Sequence, residues 1–220
     1  MIELSSVSEP RFIIVEGPIG VGKTTLARRL AETFGSELLL EGADENPFLK
    51  RFYQNPRDAA LATQMFFLFQ RADQMQALRQ SDLFEPVRVS DFMLEKDRLF
   101  AQLTLNEDEL RLYEQAYRYV TLDAPRPDLV IYLQAPVSVL MQRIARRGRP
   151  GEEHISVEYL RTVQEAYASF FHAYTDTPLL IVNAAEIDLA QSDQDYILLL
   201  EQIRHIRGGR HFFNPIPSML

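Results

Sequence analysis

The chain has no cysteine. That excludes a disulfide framework and any thiolate metal site. Histidine is scarce: His154, His172, His205 and His211 show no metal-ligand spacing and read as structural or surface residues. Basic residues are outnumbered, with 23 Lys and Arg against 31 Asp and Glu, for a net charge of −8. A nucleic-acid polymer or an anionic membrane is therefore disfavoured as a general partner, and any anionic ligand has to be met by a local basic cluster. No apolar run approaches bilayer-spanning length. The opening MIELSSVSEP has neither the basic flank nor the apolar centre of a signal peptide. Internal repeats, heptad runs and low-complexity segments are absent as well. What remains is 220 residues, 46% hydrophobic and 25% charged. That is the composition of a soluble globular protein, with enough chain for one α/β domain, and the plain expectation is a cytoplasmic enzyme.

The chain is organised around RFIIVEGPIGVGKTT, residues 11–25. Arg11 to Val15 reads as a buried parallel strand. Gly17-x-x-x-x-Gly22-Lys23-Thr24 follows with the spacing of a phosphate-binding P-loop. The glycines, Gly20 among them, let the backbone turn tightly and aim N–H groups at a phosphate. Lys23 supplies a compact positive charge, and the Thr24 hydroxyl suits Mg²⁺. Thr24 and Thr25 open a helix whose dipole favours an anion. Its apolar stripe is Leu26, Ala27, Leu30, Ala31 and Phe34, and Gly35 stops it. An ordinary glycine-rich turn would not need this strand before it and this helix after it. The site is expected to bind a nucleoside triphosphate with Mg²⁺.

Further strands are expected at Glu37–Leu40, Pro86–Ser90, Asp128–Leu133 and Leu179–Val182, with helices between them. The expected architecture is a three-layer P-loop NTPase-type α/β fold: five parallel strands, helices on both faces, no separate substrate domain. Ligands in such sheets lie beyond the carboxyl ends of the strands. Glu41 and Asp91 end the second and third strands, so both are placed near the P-loop, and Asp91 is a natural Mg²⁺ partner. The plain alternative for Glu41 is a solvated turn residue. Residues 57–80 read as one long helix, apolar around much of its girth at Met65–Phe69. Gln64 and Arg71, two turns apart on one face, could hydrogen-bond a planar heterocycle, or could simply point to solvent. Asn106 and Ser156 are expected N-caps.

Residues 143–153, RIARRGRPGEE, crowd Arg143, Arg146, Arg147 and Arg149 into an otherwise acidic chain. A solvated basic helix end would be favoured by the dipole alone. The functional alternative is a lid that closes arginines over transferring phosphates. A last helix, 193–207, is expected to bury Ile197, Leu198, Leu200, Ile203 and Ile206. The tail, 208–220, carries two phenylalanines and is expected to pack on the body or on a partner subunit.

Taken together, EGPIGVGKTTLA, the second-strand glutamate with ENPFLKRFY, TQMFFLFQR, SDFMLEKDRLFA, PDLVIYL and RIARRGR-x-x-E followed by EYL resemble the deoxyribonucleoside kinases, in particular the bacterial deoxyadenosine/deoxyguanosine kinase type. The resemblance spans about residues 11–206. It implies that Glu41 is the general base on the sugar 5′-hydroxyl, that Tyr53 and Glu152 hold the 3′-hydroxyl, and that Gln64 and Arg71 read the base, with Asp97 as the arginine's partner. It also implies that Arg143, Arg147 and Arg149 are lid arginines. One departure stands out. The family has an acidic-Arg-Ser triplet after the third strand, whereas this chain has Asp91-Phe92-Met93. The acid is kept, but the arginine that contacts the substrate 5′ region in relatives is missing. Another arginine in its place, low activity or an unusual acceptor would each account for this.

The expected reaction is transfer of the ATP γ-phosphate to the 5′-hydroxyl of a deoxyribonucleoside, with the P-loop and Lys23 on the donor and Thr24 and Asp91 on Mg²⁺. Arg71 with Asp97 suits adenine, guanine or cytosine better than thymine, which lacks an exocyclic amine, so a purine preference with deoxycytidine second is expected. The family is commonly dimeric through helices, and the apolar excess in residues 57–80 would fit a homodimer. The competing readings are a nucleoside monophosphate kinase, against which the acceptor-side carboxylate Glu41 counts, and a non-catalytic nucleotide-binding regulatory protein.

Overall fold

The computed structural model describes residues 10–80, 87–120, 125–185, 187 and 192–214. Its centre is β1 (Phe12–Glu16), in which all five residues are buried. An unbroken apolar run suits a strand covered on both faces. The Asp128 carboxylate fixes the strand's start by accepting the N–H groups of Arg11 (2.8 Å) and Phe12 (2.9 Å). β3 (Arg88–Ser90) and β4 (Leu129–Gln134) flank β1, with β2 (Glu37–Leu39) beyond β3 and β5 (Leu179–Asn183) beyond β4. All pairings are parallel.

Alternate side chains along β1 serve opposite faces of the sheet, as the strand period requires. Ile13 and Val15 pack with α1 (Lys23–Phe34), α6 (Val137–Arg147) and α8 (Asp193–His205) through Leu26, Leu30, Leu140, Ile144, Leu199 and Ile203. Phe12 and Ile14 face the other layer, made from α3 (Pro56–Gln80), α4 (Glu95–Thr104) and α7 (Val157–Ala173). There Tyr132 stacks on Phe171 with ring centroids 4.2 Å apart. Two further helices, α2 (Leu49–Gln54) and α5 (Glu107–Val120), pack beside α3.

The capping expectations hold. Gly35 ends α1 in the left-handed region, at φ 58°. Ser156 accepts the Tyr159 N–H at 3.1 Å. Asn106 accepts from Asp108 and Glu109 at 3.0 Å, while the Glu109 carboxylate accepts the Asn106 N–H in return.

Two expectations need correction. The sheet has six strands, not five: β6 (Arg210–Phe213) adds a parallel edge beside β5. The Arg210 guanidinium anchors it by donating to the carbonyls of Phe171, His172 and Tyr174 at the end of α7. Those are carbonyls that a helix end leaves without intrahelical partners. Phe213 packs on the core, but Phe212 is exposed. Residues 215–220 of the tail and Pro86 lie outside the described residues. The second correction concerns α8, which buries Tyr196, Leu199 and Ile203 and leaves Ile197 and Leu198 exposed. The Tyr196 ring turns the helix this way, because its hydroxyl bonds Thr33 (2.6 Å) and the Arg29 carbonyl (2.8 Å) on α1.

This orientation is testable in urea. Ile203→Ala, at a site 1% exposed, should lose about 2–4 kcal/mol. Ile197→Ala, at a site 54% exposed, should lose no more than about 0.5 kcal/mol. Equal losses would contradict the observed face.

Candidate active site

The carboxyl ends of β1, β2 and β3 open into a cavity of 670 Å³, within the range of small-molecule sites. The P-loop forms one wall. Gly17 adopts φ 148°, and a Cβ there would lie 2.5 Å from the Leu133 carbonyl oxygen. Gly20, at φ 84°, would place a Cβ 2.8 Å from Ile144 and 2.9 Å from the Leu140 carbonyl oxygen. Glycine is needed here because the loop presses against β4 and α6. Lys23 turns back into the loop and donates to the carbonyls of Gly17 (2.7 Å) and Pro18 (3.3 Å). Burial, with the nearby Lys96 second, lowers its ammonium pKa to about 8. Gly20, Lys23 and Thr24 line the cavity. Gly22 and Thr25 stand at the start of α1 without lining it.

Asp91 joins the loop to the next strand end. It accepts the Thr24 hydroxyl at 2.5 Å and the Glu41 N–H at 2.6 Å. Burial raises its pKa, against the opposing pull of the Thr24 hydrogen bond. A hydroxyl and a carboxylate side by side, next to a phosphate loop, are hard oxygen donors of the kind Mg²⁺ takes while keeping most of its waters. Among the described residues no group of three or more His, Asp or Glu could hold a metal unaided.

Glu41 lines the same cavity, so it is not the solvated turn residue of the plain alternative. Two cations reach it. Arg71 spans Glu41 and Asp97, one guanidinium nitrogen to each. Lys96 approaches both Glu41 oxygens, at 3.1 and 3.2 Å. Lys96 also lies 3.3 Å from Glu16. Glu16 has no exposed surface and accepts from the N–H groups of Gly17 (2.8 Å) and Met93 (3.0 Å) and from the Tyr167 hydroxyl (2.9 Å). Burial, partly offset by Glu16, lowers the Lys96 pKa to about 8 and, in the same way, that of Arg71 to about 10. Arg71 therefore stays charged near neutral pH.

Gln64 and Arg71 are buried and line the cavity, not the solvent surface. The Gln64 amide donates to Thr104 at 3.3 Å, and the Thr104 hydroxyl donates to the Phe100 carbonyl at 2.7 Å. Phe67 and Phe100 add apolar walls. Asp97 lies behind Arg71 and does not line the cavity. Tyr53 and Glu152 also line the cavity. Burial raises the Tyr53 hydroxyl above its usual range, with Tyr159 and Glu152 adding to the effect.

Of the three expected lid arginines, Arg147 and Arg149 line the cavity. Arg147 makes a two-nitrogen contact with Glu152, at 3.2 and 2.6 Å, and Arg149 lies 3.6 Å from Asp44. Arg143 differs from the expectation. It does not line the cavity but donates to the carbonyls of Val21 (3.2 Å), Ala184 (2.8 Å) and Ile187 (3.5 Å). One turn earlier on α6 than Arg147, it is held by one P-loop carbonyl, that of Val21, and by two in the segment that follows β5.

The deoxynucleoside kinase family model matches residues 13–206. The chain belongs to the deoxynucleoside kinase family. A deoxyguanosine kinase of Bacillus subtilis is 33% identical over 203 residues, covering 89% of this chain and 97% of that relative. A deoxyadenosine/deoxycytidine kinase of the same organism is 27% identical over 204 residues, covering 88% and 92%. A solved structure of deoxyadenosine kinase from M. mycoides with bound dATP superposes with a TM-score of 0.76 at 25% identity, covering 88% of this chain and 98% of that one. The chain is thus an ATP-dependent phosphotransferase acting on deoxynucleosides, and the readings without catalysis or with a monophosphate acceptor give way. Among its described residues no helix is long and apolar enough to cross a membrane.

Four side chains of this kinase's site carried no role in the sequence reading: Glu16, Lys96, Thr104 and Tyr167. Glu16 stands directly before the P-loop, and Lys96 directly before Asp97. Neither position has a spacing that marks it, because the contacts that matter cross between β1, α4 and α7.

The two amines with lowered pKa make stability depend on pH. An unfolded lysine holds its proton to about pH 10.4, whereas Lys23 and Lys96 release theirs near 8. Between those values the unfolded chain binds more protons, so stability rises with pH. The raised tyrosines oppose this only above about pH 10. The urea midpoint of the nucleotide-free kinase should climb from pH 8 to pH 9.5, and climb less in Lys23→Met. A flat profile in the wild type would contradict the burial of these amines.

Proposed function

We propose that this kinase phosphorylates the 5′-hydroxyl of a purine deoxynucleoside, with deoxycytidine as the next best acceptor, and that Glu41 is the general base. The observation that carries the reading is the position of Glu41. It is a carboxylate in the cavity, joined through its own N–H to the Asp91 that also binds Thr24. Donor and acceptor groups therefore meet at one point. A second phosphate at that point would face a carboxylate, which supports a neutral hydroxyl as acceptor.

In this reading the P-loop N–H groups and Lys23 hold the donor phosphates. Thr24 and Asp91 would hold Mg²⁺, which when bound offsets charge on the phosphates. Tyr53 and Glu152 take the 3′-hydroxyl, and Gln64 and Arg71 read the base, with Asp97 fixing the guanidinium. Buried polar groups discriminate strongly when a ligand leaves them unpaired. Thymine offers no exocyclic amine to this set. Support also comes from relatives named deoxyguanosine kinase and deoxyadenosine/deoxycytidine kinase. Arg147 and Arg149 face the transferring group as a lid, and Glu152, through Arg147, ties that lid to the sugar end. Arg143 is assigned to bracing the P-loop. We further assign a homodimer in the cytoplasm, with Phe69 on α3 and Leu112 and Tyr119 on α5 as exposed apolar residues that a partner would cover.

Turnover with ATP–Mg²⁺ should rank deoxyguanosine and deoxyadenosine first, deoxycytidine next and thymidine last. Thymidine as the best acceptor would overturn the specificity. Glu41→Gln should lower kcat by about 10²–10⁴-fold while nucleoside binding, followed by calorimetry, persists. A variant with full kcat would remove Glu41 from the base role.

A further inference from the structure

We propose that Lys96 is a catalytic residue of this kinase: its ammonium group donates a hydrogen bond to the phosphoryl group as that group passes to the hydroxyl held by Glu41. The proposal rests on the reading of Glu41 as base. It starts from a count of the cations at the acceptor. The residues that follow Asp91 cannot supply one, because Phe92 and Met93 have apolar side chains fully buried in the core. Arg71 has its guanidinium divided between Glu41 and Asp97. Lys23 is turned into the P-loop. Arg147 and Arg149 come from the lid, where Arg147 pairs with Glu152 and Arg149 lies 3.6 Å from Asp44; Lys96 instead stands between the donor and acceptor sides. It lines the cavity, is only 5% exposed, and touches Glu41 at 3.1 Å and Glu16 at 3.3 Å. Glu16 is covalently next to Gly17, the first residue of the P-loop, and bonds its N–H. Lys96 is thereby positioned from the donor side by Glu16 and from the acceptor side by Glu41.

The charge flow of the reaction gives this placement a use. The 5′-oxygen forms a bond to the γ-phosphorus, the bond from that phosphorus to the β-phosphate oxygen breaks, and ADP departs. The hydroxyl proton goes to Glu41, which becomes neutral. Two N–H groups of Lys96 that had been held by the Glu41 oxygens then lose an anionic partner. At that moment negative charge is spreading over the transferred group. The ammonium, still anchored to Glu16, is a preorganised donor for it. Nothing has to reorganise except the direction of one hydrogen bond.

The competing role is purely structural: Lys96 as the counter-ion without which Glu16 could not be buried. Lys96→Met alone would confuse the two, since it strands a buried carboxylate and can unfold the protein. Pairing it with Glu16→Gln removes that charge. Thermal unfolding, nucleotide and nucleoside binding, and kcat and KM would be measured for wild type, Glu16→Gln, Glu16→Gln/Lys96→Met, Lys96→Arg and Glu41→Gln. A catalytic Lys96 predicts a folded double variant that binds both ligands within about threefold of Glu16→Gln, yet has a kcat lower by about 10²–10³-fold. Lys96→Arg, which keeps a cationic donor, should retain at least a tenth of wild-type kcat. A double variant matching Glu16→Gln in kcat overturns the proposal for Lys96. Full turnover by Glu41→Gln overturns instead the base assignment on which it rests.

Discussion

A carboxylate without exposed surface sits at the end of the central strand, and the arrangement of charge in the cavity depends on it. Taking an ion such as Glu16 out of water costs several kcal/mol unless its oxygens are well occupied. Here they are met by two backbone N–H groups, a tyrosine hydroxyl and the Lys96 ammonium. One of those N–H groups belongs to Gly17 and the other to Met93. The same carboxylate therefore fixes the entry to the P-loop, the turn after β3 and the start of α4. Lys96 carries the order outward to Glu41, and Arg71 carries it on to Asp97.

The chain of alternating charges has a physical logic. Lys96 and Arg71 each lie between two carboxylates, and Glu41, the one of those three carboxylates that lines the cavity, receives both cations. In the reading proposed above, both cations touch the group that accepts the proton. In that reading they leave positive charge behind once the proton is taken. Arg147 with Glu152 repeats the theme elsewhere on the cavity wall. Anions are thus received here by a concentrated group of cations, inside a protein whose net charge is −8.

Much of this could be read from the residues. The P-loop and its glycines were legible because a phosphate loop needs a fixed spacing between a strand and a helix. Glu41 and Asp91 were legible because they end strands, and strand ends share one edge of the sheet. Ser156 and Asn106 were legible because N-caps are local. What the sequence concealed is the product of contacts between distant segments. Lys96 looks like any lysine beside an acidic helix start, and its burial follows only once α4 is laid over the end of β1. The face of α8 was misjudged because its apolar residues surround the helix, and the choice among them is made by Tyr196 reaching α1. β6 was missed because a four-residue edge strand between glycines and prolines has little pattern of its own, and its anchor, Arg210, bonds carbonyls over thirty positions away.

The central claim is that the acceptor end of this cavity is built for a neutral hydroxyl that surrenders a proton to a carboxylate, not for a phosphate. The most direct measurement is a coupled phosphoryl-transfer assay with ATP–Mg²⁺ on two matched acceptors, deoxyguanosine and deoxyguanosine monophosphate. The account predicts turnover on the nucleoside and none on the monophosphate. Turnover on the monophosphate alone would place a second phosphate beside Glu41 and contradict it.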